Sequence, residues 1–384
     1  PDSKLEWEFE HSERQQIGVN GYSLLGSTLP APVDGKRNLT WQDWALPGIF
    51  NANTGSVRFK QNLGDGWLWT TSYGAQRLKT DDRLIFGYGC GETDYTRYCA
   101  DGSFSLYDYR SEGERRISDA LETALTGQME IGGYRHHLNF SFLRARQLDR
   151  MPLNQSFALL GTSGNLYGSF NSQPNPDFSG FNTNRTEYSS EMAINNRIEL
   201  SKNTSVWVGL RNVHLNRASI RTEPDYPNAK RYQNIANTKW LALSHNMPSW
   251  NGYISYGEGL EQFVVPNSTG TYWVNAGEFL GIGKSKQVEI GLRSKPVNTG
   301  FQWGTSVFDI SRPLAYDDGN GSRLLEGTQK HQGLELTTQW TNRSWNLSAQ
   351  AMVLHAEMEG VTTLSYLNGQ RPLNVPKHIL RAIA

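Results

Sequence analysis

The chain of 384 residues carries 37 basic and 37 acidic side chains, a formal net charge of zero, which argues against a nucleic-acid partner. Mean hydropathy is −0.58, and no stretch approaches the roughly 18 consecutive apolar residues of a membrane-spanning helix, so helical insertion is excluded. With 38 Gly, 12 Trp, 17 Tyr and 15 Phe, the composition favours strands and turns, and an all-β fold is expected.

In chain order, the first pattern is KLEWEFEH, where Leu5, Trp7 and Phe9 alternate with Lys4, Glu6, Glu8 and Glu10; this is a period-two strand with one apolar face. Next, Val57 and Phe59 run into the turn Leu63-Gly64-Asp65-Gly66, after which Trp67, Trp69 and Tyr73 alternate, as in a tight hairpin. The construction recurs with turns at Gly132-Gly133, at Ser201 to Thr204, near Pro248, near Pro296 and at Thr341 to Ser344. Between the hairpins lie long polar segments, near 12–55, 79–118, 147–186, 217–237, 259–285, 311–330 and 357–371. A soluble sandwich has no reason to alternate short turns with long loops, whereas an antiparallel transmembrane β-barrel does, with short periplasmic turns and long extracellular loops. Its strands need only about 9–11 residues with apolar side chains on alternate positions, which fits the low hydropathy. About 14 strands are expected.

The chemistry-bearing motifs are sparse. The two cysteines, Cys90 and Cys99, stand nine positions apart, wider than the usual spacing of about two to four residues between zinc ligands. A disulfide is the expectation and requires an oxidising compartment; two unpaired thiols are the alternative. GEFLGIGKS has Glu278 where a phosphate-binding loop needs its first glycine, and a strand pattern follows. His136 and His137 are adjacent, point to opposite faces of a strand and are expected to be solvated turn residues. Asp81-Asp82 and Asp317-Asp318 read as solvated loop charge. No nucleophile motif is present, so no enzymatic activity and no catalytic residue are expected. The loops are instead rich in aromatics: Tyr22, Trp41 and Trp44 in the first, Phe86, Tyr88, Tyr95, Tyr98 and Tyr107 in the second. Trp67 and Trp345, beside tight turns, suit lipid anchoring, and the loop aromatics suit a vestibule for an amphipathic ligand.

Four stretches in the C-terminal half, YISYGEGLE (Tyr253 to Glu261), GKSKQVEIGLR (Gly283 to Arg293), HQGLELTTQW (His331 to Trp340) and NVPKH (Asn374 to His378), occur in the order found in TonB-dependent outer-membrane siderophore receptors. GDGWLW and VGLR (Val208 to Arg211) add to this resemblance, which is nearest to the ferrichrome receptor and covers most of the chain. It implies a barrel of about 22 strands, of which residues 1–384 would be a central part of one barrel domain, with an N-terminal plug and C-terminal strands lying outside. It also implies a bacterial outer-membrane location, a ferric siderophore and the TonB energy-coupling complex as partners beside outer-membrane lipid, and active transport. The iron would be carried by the siderophore, so no cofactor or metal-ligand cluster is expected in the chain itself. By the same resemblance, Phe86 and Tyr88 of FGYGC and Tyr22 of VNGYSLLGSTLP match ligand-contacting aromatics, although Phe86 replaces a tyrosine and Asn20 a neighbouring aromatic. Tyr95 and Tyr98, inside the Cys90–Cys99 loop, are further candidate contacts. The rival functions are a passive porin-type channel and a secreted β-rich carbohydrate-binding protein.

Overall fold

In the computed structural model, which describes residues 2–18, 23–91, 94, 96–168, 171–225, 229–267, 273–295 and 300–384, the chain is built almost wholly of antiparallel strands. These are β1 (Ser3–Gln16), β2 (Gly48–Gly64), β3 (Trp67–Gly87), β4 (Ser103–Ile131), β5 (Tyr134–Arg150), β6 (Asn154–Asn165), β7 (Gly180–Phe181) and β8 (Thr183–Glu199). They are followed by β9 (Thr204–Arg221), β10 (Lys230–Asn246), β11 (Trp250–Val264), β12 (Phe279–Ser294), β13 (Phe301–Asp317), β14 (Arg323–Thr341), β15 (Asn346–Glu359) and β16 (His378–Ile383). Leaving out β6 and β7, fourteen strands pair with their sequence neighbours in one continuous meander. Among the described residues β1 pairs only with β2 and β16 only with β15, so the sheet is not closed on itself.

The register explains why so polar a sequence forms this sheet. Directly paired residues face the same side, and the row Leu243, Ile254, Ile290, Val307, Leu334 and Val353 runs unbroken from β10 to β15. All six are exposed, as are Trp7, Val57, Tyr73 and Leu121 in the corresponding row from β1 to β4. One residue along, the row Glu6, Arg58, Ser72 and Glu122 occupies the opposite face. One face is therefore an apolar belt for lipid and the other a polar lumenal wall. Charged side chains pair on this wall: Glu261 lies 2.9 Å from Arg312 and Glu191 3.3 Å from Arg211 across strands, and Glu199 lies 2.6 Å from Arg197 on its own strand and 2.7 Å from His137 Nε2 of β5. His137 is thus a hydrogen-bond partner of Glu199 on the wall and not a solvated turn residue, while His136, on the other face, bonds Asn196 at 2.8 Å.

Turns and loops alternate between the two ends of the sheet. The β2–β3 turn puts Asp65 (φ 49°) and Gly66 (φ 78°) in the left-handed region, the backbone of a two-residue hairpin turn. Gly132 and Gly133 (φ 60° and 81°) do the same between β4 and β5; the turn expected near Pro296 lies outside the described residues. At the other end, the loop expected over 311–330 is mostly strand: β13 and β14 stay paired to Asp317 and Arg323. The strands outrun the membrane. At about 3.3 Å per residue, the 29 residues of β4 far exceed an apolar belt about 25 Å tall.

Candidate ligand-binding vestibule

The overhang of β3 and β4 carries the site. Where it begins, β4 admits the extra residue Gly113, which steps the pairing from Thr80–Glu114 to Asp81–Glu112. The Asp81 carboxylate accepts the Gly113 N–H at 2.8 Å and fixes this bulge. Beyond it β3 reaches Gly87, and β4 takes β6 as a new neighbour, pairing Tyr107 with Leu159 and Tyr109 with Phe157.

Alternation along β3 places Phe86 on the lumenal face with Ser72 and Gln76, and it pairs with Tyr107 of β4. The Phe86 ring stacks on Tyr107 at 5.6 Å between centroids, meets Tyr88 edge-on at 6.3 Å and lies 5.8 Å from Phe157. Tyr107 is in turn 5.1 Å from Phe157 and 6.2 Å from Tyr88. Tyr88, Phe157 and Leu159 are 42%, 55% and 52% exposed. They form an open aromatic shelf at the mouth of the lumen, where ring faces and edges offer contact area at small entropic cost.

Behind the shelf lies a packed support. Leu25, Leu39, Ile85, Tyr98, Phe104, Leu106, Leu160 and Leu166 bury together, the larger of two apolar clusters among the described residues. The disulfide Cys90–Cys99 (Cα–Cα 4.8 Å) closes the loop between β3 and β4 against this cluster; closing a loop of this size stabilises it by roughly 2.5 kcal/mol in the chain-entropy account. The first loop docks beside it: Leu24 accepts the Tyr98 N–H at 2.9 Å, and the Gly26 N–H reaches the Tyr98 carbonyl at 3.1 Å. Two carboxylates shape the turns. Asp94 accepts the Thr96 N–H (2.7 Å), the Thr96 hydroxyl (2.8 Å) and the Arg97 N–H (3.0 Å), and these bonds hold it below its ordinary range. Asp101 is lowered likewise by the Ser103 hydroxyl (2.7 Å) and N–H (2.9 Å).

Of the aromatics picked out in the sequence, the structure brings Phe86, Tyr88 and Tyr107 together. Tyr98 is a correction: it is 3% exposed and lies 4.6 Å from the Phe104 ring, and burial pushes its hydroxyl up, so it belongs to the support and not to the exposed shelf. Tyr22 and Tyr95 lie outside the described residues. Phe157 and Leu159 were missed because 147–186 reads as polar loop. The signal was the alternation in NQSFALLG, whose exposed partners Phe157 and Leu159 flank buried Ala158.

The sequence matches the family model for the TonB-dependent receptor-like β-barrel over residues 8–384. Among solved structures, the chain is similar to the ferric preacinetobactin receptor BauA of Acinetobacter baumannii, with a TM-score of 0.78 at 17% identity, covering 100% of this chain and 56% of that one. It is also similar to the siderophore receptor PiuA of Acinetobacter baumannii (TM-score 0.78, 15% identity, 99% and 59%) and to the ferric-catecholate import receptor Fiu of E. coli K12 (TM-score 0.77, 13% identity, 99% and 59%). At such identities the likeness establishes the fold, and the chain spans somewhat over half the length of these structures. Comparison with curated protein sequences gives no significant match. A family match over nearly the whole sequence, on a sheet with one lipid-facing and one lumenal side, means that this chain belongs to the TonB-dependent receptor β-barrel family, a non-enzymatic family of the bacterial outer membrane.

Proposed function

We propose that residues 1–384 form part of the barrel domain of a TonB-dependent receptor that binds a ferric siderophore at its extracellular mouth and imports it into the periplasm. The observation that carries this reading is the aromatic shelf of Phe86, Tyr88, Tyr107 and Phe157 on the lumenal side of the strand overhang, where half-buried Phe86 and Tyr107 carry exposed Tyr88 and Phe157. An iron chelate presents flat organic donors around a metal that is already fully ligated, so its receptor needs ring surfaces and a few polar groups and no ligand cluster. The BauA, PiuA and Fiu structures are of siderophore or ferric-chelate receptors, which supports the same substrate class here. Energy for passage would come from the TonB complex.

The test is binding and uptake of fluorescent or radiolabelled ferric chelates by cells carrying the full-length protein. Tyr88→Ala and Phe157→Ala should each weaken binding by about tenfold, the scale of a central aromatic contact. A strain without the energy-coupling complex should bind the chelate and fail to import it. Uptake that survives loss of that complex would sink the mechanism and favour a passive channel.

A further inference from the structure

We infer that the shelf selects a ferric chelate bearing a protonated amine on a flexible arm, and that Asp82 is the carboxylate that receives this ammonium. The inference rests on the transport reading and deepens it by naming the charge of the substrate. The first observation is what lies below the shelf on the same wall. Going down β3 from Phe86, the lumenal positions are Leu84, Asp82 and Thr80, and their partners on β4 are Tyr109, Ser111 and Glu114. Leu84 and the Tyr109 ring continue the apolar surface, while the Tyr109 hydroxyl donates to Gln155 at 3.2 Å. Below them the wall turns acidic. At about 3.3 Å per residue, Asp82 stands roughly 13 Å from Phe86 along the strand, so rings and carboxylate are separated by one apolar step.

The second observation is how the charges around Asp82 are already spent. Glu114, 3% exposed, is engaged by Arg116 at 2.8 Å, and Arg116 also donates to the Thr80 hydroxyl at 3.3 Å. Arg14, in the Thr80 row but two strands away, stacks on Phe50 at 4.6 Å, and Arg185 is paired in register with Asp149. Arg83 follows Asp82 in the chain and so faces the other side, where it meets Glu112 at 2.6 Å and Asp81 at 3.6 Å. Half-buried Asp82 is left without an ion pair among the described residues. Directly opposite it, Ser111 is wholly buried, and its hydroxyl has no hydrogen-bond partner among the described residues. Burial, and then the charges of Glu114 and Asp82, push the Tyr109 hydroxyl up, so the phenol beside this notch stays neutral.

A half-buried carboxylate without a partner, beneath ring faces that carry negative charge density, favours a cation over a neutral or anionic group. A bare metal ion does not fit, because no cluster of three His, Cys, Asp or Glu side chains that could hold one is found among the described residues. An ammonium asks for less: the Asp82 carboxylate and the Ser111 hydroxyl oxygen accept its protons in charge-assisted hydrogen bonds. The methylenes of its arm cross the apolar step of Leu84 and Tyr109, and the iron core rests above on the rings. An anionic arm would meet the Asp82 charge instead.

The experiment measures binding of paired synthetic ferric chelates to the full-length protein in mild detergent, by quenching of tryptophan fluorescence. Pairs are built on hydroxamate, catecholate and carboxylate iron cores. Within a pair the core and the alkyl arm are the same, and the arm ends in a primary amine or in its N-acetyl derivative. For the core that binds, the amine should bind about tenfold more tightly than its acetylated twin, the scale of one charge-assisted contact. Asp82→Asn should bring that ratio close to one. If Asp82→Asn does not assemble, the wild-type ratio decides. Binding by none of the pairs would overturn the receptor reading and this inference with it. An acetylated chelate that binds as tightly as the amine, or an Asp82→Asn protein that keeps the preference, would overturn this inference and leave the receptor reading standing.

Discussion

Gly87 shows how finely the aromatic shelf depends on its support. It ends β3 beneath Tyr88, and a methyl group there would meet the Phe104 ring at 2.6 Å and the Tyr98 hydroxyl at 2.9 Å. Overpacking of this kind costs about 1–3 kcal/mol, so Gly87→Ala should loosen the cap and leave the membrane strands intact. Amide hydrogen exchange across 98–106 should then rise several-fold; unchanged protection would show that Phe104 has room to move. Protons act on the same support through Asp94 and Asp101. Their carboxyls are held below the ordinary value of 3.8 by bonds that only the charged form accepts fully. The native state therefore takes up protons less readily than the unfolded one, and the stabilisation is complete above that value and lost as pH falls through the lowered native pKa. Order in the 90–103 loop, read by limited proteolysis, should stay flat from neutral pH to about 4 and decline below it. A decline already between pH 7 and 5 would mean that other groups govern the loop.

At the scale of a strand, one residue of displacement separates lipid from lumen, and β13 allows a sharp comparison. Val307 is 58% exposed in the apolar row, while its neighbour Ser306 pairs with Glu335 on the lumenal wall. Val307→Lys should cost about 2–4 kcal/mol, the range for lysine near the bilayer midplane, and should lower both the yield of assembled protein and its resistance to heating in detergent. Ser306→Lys gains a carboxylate partner and should be tolerated. This two-residue code is what made the strands readable in the sequence: Leu5, Trp7 and Phe9 announce β1, and the Gly64-Asp65-Gly66 turn announces the β2–β3 hairpin. Strand ends were much less legible. Outside the bilayer neither face needs to be apolar, so β13 and β14 continue through polar residues that read as loop. The same loss of pattern hid β6 and with it Phe157 and Leu159. Tyr98 erred in the opposite direction, because sequence alone does not tell a buried loop aromatic from a presented one when both sit beside a disulfide.

The molecule as a whole inverts the plan of a soluble β-protein. Its larger buried apolar cluster among the described residues lies in the cap outside the membrane strands, and the meander itself keeps whole rows of apolar side chains exposed on one face. The strands are held by ladder hydrogen bonds, cross-strand pairs and the lipid that covers the belt. Two edges then matter more than any single contact. The free side of β1 presents fourteen residues of extended backbone with Leu5, Trp7 and Phe9 at 64%, 76% and 66% exposure, and the free side of β16 adds Leu380 and Ile383 at 80% and 70%. An open edge of this length and polarity is a template for pairing with another chain, and in hydrocarbon each unpaired backbone group costs several kcal/mol. Residues 1–384 expressed by themselves and refolded into detergent should therefore associate edge to edge, giving broad, concentration-dependent species on size-exclusion chromatography. A chain in which further strands pair with both edges should instead elute as one sharp, heat-modifiable species. A monodisperse 384-residue preparation with a single cooperative melt would mean that β1 and β16 pair with one another after all, closing a smaller barrel than the family's fold requires.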